Sequence, residues 1–174
     1  MKMQFTYNIF LIGFMGSGKS TVADYLCEKF DMDVVEMDQV IAERERMSIS
    51  DIFEKHGELY FRDLETKLLV ELQEKTNTVV SCGGGVAMRE CNVTEMKKNG
   101  KVVLLTAKPE TILERVENNQ DRPLLENNKT VAYIAELMEK RREKYEAAAD
   151  MIIETDGKSA QKICEEMIQR LGEQ

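Results

Sequence analysis

The sequence predicts an α/β fold of three layers, in which helices cover both faces of a five-stranded parallel sheet. Short apolar, β-branched segments alternate with amphipathic helical segments along the chain, and a glycine-rich loop joins the first strand to the first helix. The chain has 174 residues, 43% of them hydrophobic, and no internal repeat or low-complexity linker divides it. We therefore expect a single domain over residues 1–174.

The glycine-rich loop covers residues 13–20, which read Gly-Phe-Met-Gly-Ser-Gly-Lys-Ser, the spacing of a phosphate-binding loop. The apolar run Asn8–Ile12 precedes it as a predicted buried strand, and apolar residues at helical spacing follow from Val22. Inward-pointing loop amides and the positive end of the new helix would bind phosphate oxygens. In this pattern Lys19 reaches the terminal phosphates and the Ser20 hydroxyl holds Mg²⁺.

The remaining elements follow in chain order. Strands are predicted at 34–37, 78–82, 102–105 and 151–153. Helices are predicted at about 48–74, 89–98, 131–148 and 160–171, and a further helix begins at 109. Ser48 and Asp51 have capping-box spacing at the start of the long helix. Gly100 is placed to end the helix predicted at 89–98, and Pro109 suits the first turn of the helix that follows. The apolar stripe of the long helix is predicted to be Phe53, Tyr60, Leu64 and Leu68.

Charge and cysteine content exclude several classes of function. The net charge of −8 argues against a general nucleic-acid or anionic-membrane surface. Four scattered cysteines without a Cys-x-x-Cys pair, together with one histidine, fit neither a zinc site nor a disulfide framework. We expect no signal peptide, because the first apolar run is short and leads directly into the phosphate loop, and no apolar run in the sequence is long enough to span a bilayer. We expect a soluble, cytoplasmic monomer without nucleic-acid or membrane partners.

Three segments are predicted to meet in one crevice, because ligands of parallel α/β sheets bind beyond the carboxyl ends of the strands. The phosphate loop follows the first strand, Glu36 and Asp38 follow the second, and Gly83–Gly85 follow the third. Glu36 and Asp38 share strand parity, so both point the same way, with Glu36 near Mg²⁺ through water. Asp38 is either a partner for a substrate hydroxyl or a helix N-cap. The glycine triplet either offers its backbone to a ligand or forms a flexible turn.

Two arginines are candidates for binding an anion. Arg141 shares a helical face with Ile134 and Tyr145, so it points inward and needs either an internal carboxylate or a bound anionic ligand. Arg62 has Glu58 and Glu65 one turn to either side. It forms either an exposed ion pair or a guanidinium fork, held by Glu65, that grips a carboxylate.

A third arginine lies in a polar stretch between two predicted helices. Residues 122–125 read Arg-Pro-Leu-Leu inside the segment 117–129. This segment is either a lid that closes over ATP and delivers Arg122 to the transferring phosphate, or a disordered surface loop.

Taken together, these residues resemble the shikimate kinase family of P-loop kinases, which is similar in fold to the nucleoside monophosphate kinases. The resemblance covers essentially the whole chain and rests on the phosphate loop with Thr21, Glu-Met-Asp at 36–38, Ser-Ile-Ser-Asp-Ile-Phe at 48–53, Gly-Glu-Leu-Tyr-Phe-Arg-Asp-Leu-Glu at 57–65, the triplet, Arg-Pro-Leu-Leu, and Lys-Arg at 140–141 ahead of Tyr145. It implies a P-loop kinase fold with a mobile lid at about 117–129 and a substrate-binding region at about 36–65.

The resemblance also implies an activity: ATP-dependent phosphorylation of the 3-hydroxyl of shikimate, a step toward chorismate and the aromatic amino acids. The implied shikimate-binding residues are Asp38, Arg62, Gly83, Gly84, Gly85 and Arg141, with the two arginines on the carboxylate. The implied ATP-binding residues are Gly16, Ser17, Gly18, Lys19, Ser20, Thr21 and Arg122. Lys19, Asp38 and Arg122 would be catalytic, and Ser20 would ligate Mg²⁺.

The chain departs from the family pattern at two places. Glu36 stands where the family usually has Asp, and neither 117–120 (Glu-Asn-Asn-Gln) nor 156–158 (Asp-Gly-Lys) supplies the usual adenine contacts, which are therefore unassigned. A kinase for gluconate or a nucleoside monophosphate remains an alternative. A nucleotide-dependent switch is the alternative from another class, but the chain lacks the Asn-Lys-x-Asp segment of guanine-specific switches.

Overall fold

The computed structural model describes residues 4–117 and 130–172, which contain five strands. These are β1 (Asn8–Ile12), β2 (Asp33–Glu36), β3 (Thr78–Ser81), β4 (Gly100–Thr106) and β5 (Met151–Glu154). They pair in parallel in the order β2-β3-β1-β4-β5, which confirms the predicted sheet. Each predicted strand coincides with an observed one to within a residue or two.

Helices cover both faces of this sheet, as predicted. They are α1 (Lys19–Phe30), α2 (Met37–Glu45), α3 (Ile49–His56), α4 (Glu58–Glu71), α5 (Glu90–Lys98), α6 (Pro109–Val116), α7 (Val131–Ala148) and α8 (Ala160–Gly172). Successive residues of β1 serve opposite layers: Leu11 packs with α1 and α8, whereas Phe10 packs with the remaining helices. A strand buried on both faces has no polar side to display, so its sequence is a continuous apolar run. Among the described helices, none has the length and apolar character that crossing a membrane requires.

The prediction of a single helix over 48–74 is wrong, because the helix is interrupted at Gly57. This residue has φ 88° and ends α3 directly before α4, and Leu72–Glu74 forms a separate 3₁₀ turn. The break changes the helical register, so Phe61 is 3% exposed and Tyr60, predicted to be buried, is 37% exposed. The predicted cap is confirmed, since Ser48 Oγ accepts a hydrogen bond from the Asp51 amide at 3.1 Å.

Gly100 has a different role from the one predicted. Asn99 is the residue that ends α5, and Gly100 is already the first residue of β4, opposite Asn8 of β1. A side chain at this position would collide with the ring of Phe10. The glycine therefore permits close approach between a strand and a core aromatic ring.

Candidate active site

A crevice of about 600 Å³ lies at the carboxyl ends of the central strands. Three segments meet there: the phosphate loop after β1, the segment from Glu36 to Gln39 after β2, and the glycine triplet after β3. Ser81 and Cys82 form part of its floor, and Cys82 is buried with its thiol pKa raised by burial. The structure thus brings the three predicted segments together.

The phosphate loop curls through three glycines with positive φ, at 146° for Gly13, 81° for Gly16 and 102° for Gly18. Gly18 is the N-cap of α1, so no side chain caps the amides of the first turn. Lys19 Nζ donates to the carbonyls of Gly13 at 2.7 Å and Phe14 at 3.0 Å, which holds this buried cation against the loop. The arrangement presents amides, a helix N-terminus and an ammonium group to an anion.

Most of the predicted ATP-binding residues line the crevice: Gly16, Gly18, Lys19, Ser20 and Thr21. Ser17 differs, because its side chain is buried away from the crevice and its Oγ has no hydrogen-bond partner within the described residues. A contact between Ser17 and a nucleotide would therefore use its backbone. Arg122 and the predicted lid at 117–129, apart from Glu117, lie outside the described residues.

The residues near Ser20 fit a Mg²⁺ ion that is bound together with a nucleotide. Burial raises the pKa of the Glu36 carboxyl above its usual value, although the neighbouring Ser20 and Ser81 oppose this shift. Within 4–117 and 130–172, no group of three or more His, Cys, Asp or Glu side chains is placed to hold a metal. Mg²⁺ usually takes only one or two protein oxygens and completes its shell with phosphates and water.

Asp38 reaches the crevice by a route other than the predicted one. It lies in the first turn of α2, and Glu36 occupies the N-cap position, so neither shared strand parity nor the N-cap alternative describes it. Both carboxylates nevertheless line the same crevice. Acidic residues are favoured in a first helical turn by the helix dipole, which helps to hold Asp38 in this place.

Arg62 is largely buried and held by an intrahelical network. Its side chain is 14% exposed and donates through Nη1 to Glu65 at 2.9 Å and through Nε to Glu58 at 3.3 Å. Its guanidinium carbon also lies 5.4 Å from the ring centre of Phe61. Glu65 is fully buried, and burial raises the pKa of its carboxyl to about 7, although the positive charge of Arg62 lowers this pKa. The alternative of an exposed ion pair is therefore excluded.

The glycine triplet is the contact point for the predicted acceptor-binding side chains. A Cβ on Gly83 would lie 2.7 Å from Glu65 Oε2 and 2.9 Å from Asp38 Oδ1, and one on Gly85 would overlap the guanidinium of Arg62. A Cβ on Gly84 would lie 3.2 Å from Arg141 Nη1. The absence of side chains thus lets two carboxylates and two guanidinium groups approach one short backbone segment. Gly83 and Gly84 line the crevice, and Gly85 adjoins it.

Arg141 points inward from α7, as its helical position predicted. Its guanidinium lies 5.7 Å from the ring centre of Phe14 in the phosphate loop, and Nη1 is 3.5 Å from the Tyr145 hydroxyl. Within residues 4–117 and 130–172 no ion pair joins it to a carboxylate. Its neighbour Arg142 is exposed and pairs with Glu139 and Glu146.

Arg115 is a crevice residue that the sequence prediction missed. It lies on α6 and donates through Nη1 to the Gly16 carbonyl at 2.9 Å and to Thr155 Oγ1 at 3.3 Å. The family pattern directed the prediction to residues 117–120 and 156–158, and Arg115 lies just before the first of these segments. The available signal was an arginine beside the buried Val116, at the end of the helix that follows β4.

The chain is similar to known proteins over nearly its whole length. The family model described as shikimate kinase matches residues 15–172. The shikimate kinase of Persephonella marina (strain DSM 14350 / EX-H1) is 45% identical over 164 residues, which are 94% of this chain and 98% of that protein. The shikimate kinase of Sulfurihydrogenibium sp. (strain YO3AOP1) is 44% identical over 164 residues, which are 94% and 97% of the two chains.

Solved structures give a consistent result. The shikimate kinase from Acinetobacter baumannii in complex with shikimate is similar with a TM-score of 0.90 and 33% identity, over 95% of this chain and 92% of that one. The shikimate kinase from Aquifex aeolicus has a TM-score of 0.81 and 38% identity, over 95% and 96%. A gluconokinase from Sinorhizobium meliloti has a TM-score of 0.61 at 16% identity, which bears on the fold alone.

Proposed function

Because the chain belongs to the shikimate kinase family, we propose that this crevice transfers the γ-phosphoryl group of ATP to the 3-hydroxyl of shikimate. The family's reaction is the ATP-dependent phosphorylation of shikimate on the route to aromatic amino acids. One observation carries the proposal: the glycine triplet packs against Asp38, Arg62 and Arg141 and stands beside the phosphate loop. A hydroxylated carboxylic acid bound there would face the end of a nucleotide.

The phosphate loop supplies charge for the transfer. Phosphoryl transfer asks the protein chiefly for position and electrostatic stabilisation, since negative charge spreads over the transferring oxygens. The loop amides and Lys19 bind these oxygens. Ser20 would hold Mg²⁺, which would supply further neutralisation of the phosphate charge when it is bound. The assignment of Arg122 to the transferring phosphate stays a prediction.

The acceptor is held by the side chains that pack against the glycine triplet. Arg62 and Arg141 bind the carboxylate of shikimate, because two planar cations match a planar anion and Glu65 fixes the Arg62 fork. Asp38 accepts a hydrogen bond from the reacting hydroxyl and orients it toward the phosphate. Orientation of this kind turns a bimolecular encounter into a positioned, near-attack arrangement.

Arg115 completes the nucleotide side. Its guanidinium is anchored to the loop through the Gly16 carbonyl, beside Gly18 where α1 begins. A nucleotide whose phosphates enter the loop would extend past this group. A planar guanidinium stacks on aromatic faces, so we assign Arg115 to the wall beside the base.

An acceptor panel tests the proposal. ADP release, measured in a coupled assay with MgATP, is expected to be fast with shikimate and to stay at background with gluconate or a nucleoside monophosphate. Turnover of either alternative at a kcat/KM equal to that with shikimate would overturn it. Calorimetry in the presence of MgADP addresses the nucleotide switch, since a switch without a small substrate would give no heat with shikimate.

Three further sequence predictions stay predictions: a monomer, a cytoplasmic location and one domain. We propose, as the sequence prediction states, that the protein acts as a monomer. Sedimentation equilibrium tests the mass in solution. A single calorimetric unfolding transition would support one domain.

A further inference from the structure

Tyr145 connects the glycine triplet to Arg141. It lies on α7 with 5% of its surface exposed, and its hydroxyl donates to the Gly84 carbonyl at 2.5 Å. The same oxygen accepts from Arg141 Nη1 at 3.5 Å. Burial raises the pKa of the Tyr145 hydroxyl, so the group is protonated at neutral pH and keeps its proton for Gly84. One phenol oxygen thus touches two parts of the acceptor site.

The hydrogen bond to Gly84 differs from those of its neighbours. The Gly83 carbonyl accepts from the Val86 amide at 3.2 Å, and the Gly85 carbonyl accepts from the Met88 amide at 3.1 Å. These are local turn contacts, whereas Tyr145 reaches the triplet from a helix 61 residues further along the chain. Tyr145 therefore hydrogen-bonds the triplet from a distant element, whereas the two neighbouring carbonyls are held by local turns.

Fixing the Gly84 carbonyl also fixes the amide on the other side of the same peptide. A peptide unit is planar and trans, so its C=O and N–H point in opposite directions. The Gly84–Gly85 peptide therefore has its N–H directed away from Tyr145. Glycine segments rotate freely without such a restraint. Arg141 Nη1 lies 3.2 Å from the position of a Cβ on Gly84, so the guanidinium rests directly on the restrained backbone.

We propose that Tyr145 is a positioning residue for the acceptor, which holds the Gly84–Gly85 peptide and the Arg141 guanidinium in one fixed arrangement. The inference rests on the proposed function, because it assumes that Arg141 binds the carboxylate of shikimate. Tyr145 itself does not touch substrate in this assignment. Phe14 supports the guanidinium from the loop side, so Tyr145 supplies direction and the ring supplies a stacking surface.

The substitution Tyr145→Phe tests this role, because it removes one hydroxyl and leaves the buried ring. The KM for shikimate is expected to rise about 10-fold, as for the loss of a buried hydrogen bond, while the KM for ATP stays within about two-fold. Tyr7→Phe is the matched control: it removes a phenol hydroxyl beside Phe5, in the cluster on the opposite face of the sheet. It is expected to leave both KM values unchanged.

A double-mutant cycle separates positioning from general stability. Arg141→Lys and Tyr145→Phe are measured alone and together, with thermal unfolding of each variant. If Tyr145 acts through Arg141, the double variant should raise the KM for shikimate by a factor well below the product of the two single-variant factors. Additive effects, or KM values for ATP and shikimate that rise in parallel with lost thermal stability, would overturn the positioning role.

Measuring the activity of the wild type together with the KM of the Tyr145→Phe variant distinguishes a failure of this inference from a failure of the proposed function. Failure of the wild-type enzyme to phosphorylate shikimate would overturn the proposed function. An active wild-type enzyme, together with a Tyr145→Phe variant of unchanged KM for shikimate, would overturn the role of Tyr145 alone.

Discussion

Glu65 lies fully buried under Arg62 and accepts a hydrogen bond from its Nη1 at 2.9 Å. Three residues of spacing on α4 bring the two side chains together, and Glu58 holds the other side of the guanidinium. A buried carboxylate is costly unless it is paired, and here the guanidinium of Arg62 supplies the partner. The task that the geometry supports is to hold a guanidinium fork toward the glycine triplet.

The first prediction concerns this fork. Arg62→Lys keeps a positive charge but loses the planar, bidentate group. We expect the KM for shikimate to rise about 10- to 100-fold, which corresponds to one lost charge-assisted hydrogen bond. Steady-state kinetics with shikimate as the varied substrate measure it. Arg142→Lys, at an exposed position, is the control, and a wild-type KM in the Arg62 variant would show that Arg62 does not bind the acceptor.

The second prediction concerns pH. Burial raises the pKa of Glu65 from 4.5 to about 7, so between these values the folded protein holds a proton that the unfolded chain has released. The contribution of Glu65 to the free energy of unfolding is therefore fully present below about pH 4.5 and is lost as the pH rises through 7. The full loss is on the order of 3 kcal/mol.

Urea unfolding at pH 5, 6, 7 and 8 measures this effect as the difference between wild type and Glu65→Gln. Wild type is expected to lose stability relative to Glu65→Gln as the pH rises from 5 to 7, and the difference is expected to level off toward pH 8. Glu58→Gln, which alters a largely exposed carboxylate on the same helix, is the control. A constant difference between wild type and Glu65→Gln would mean that Glu65 does not titrate there.

The third prediction concerns space around the triplet. Gly85 has φ −98°, which alanine adopts without strain, but the new Cβ would lie 2.5 Å from the guanidinium carbon of Arg62. Gly85→Ala therefore displaces Arg62, and we expect the KM for shikimate to rise at least about 10-fold with the KM for ATP unchanged, since displacements near 1 Å are costly in active sites. Gly172→Ala, in open space, is the control. Equal KM values for shikimate in the two variants would contradict the steric account.

Much of the fold was predictable because local patterns specify it. A strand buried on both faces requires a continuous apolar run, and a phosphate loop requires glycines at fixed spacing, so β1 was predicted with its residues and α1 was predicted directly after the loop. The helix break was missed because Gly57 acts through a single backbone angle, which apolar periodicity does not report. Tyr60 was then placed on the wrong face of its helix.

The site was less predictable than the fold, because its contacts join distant segments. The sequence indicated that Arg62 and Glu65 share a helix face, but only the packed structure shows Glu65 beside Gly83. Asp38 was placed correctly for the wrong reason, since a helix turn and not strand parity aims it. Arg115 was missed because its partner, the Gly16 carbonyl, lies 99 residues away in the chain.

The last prediction concerns Arg115 and separates two ways in which it can serve the nucleotide. If its guanidinium forms the wall beside the base, Arg115→Ala should raise the KM for ATP about 10-fold and leave the KM for shikimate unchanged.

Calorimetry then compares two ligands. ADP should bind more weakly to the variant, whereas pyrophosphate, which has no base, should bind as it does to wild type. Equal weakening of both would show instead that Arg115 supports the loop through the Gly16 carbonyl. Arg170→Ala, on α8, is the control, because that arginine also donates to a backbone carbonyl but lies outside the residues that line the crevice.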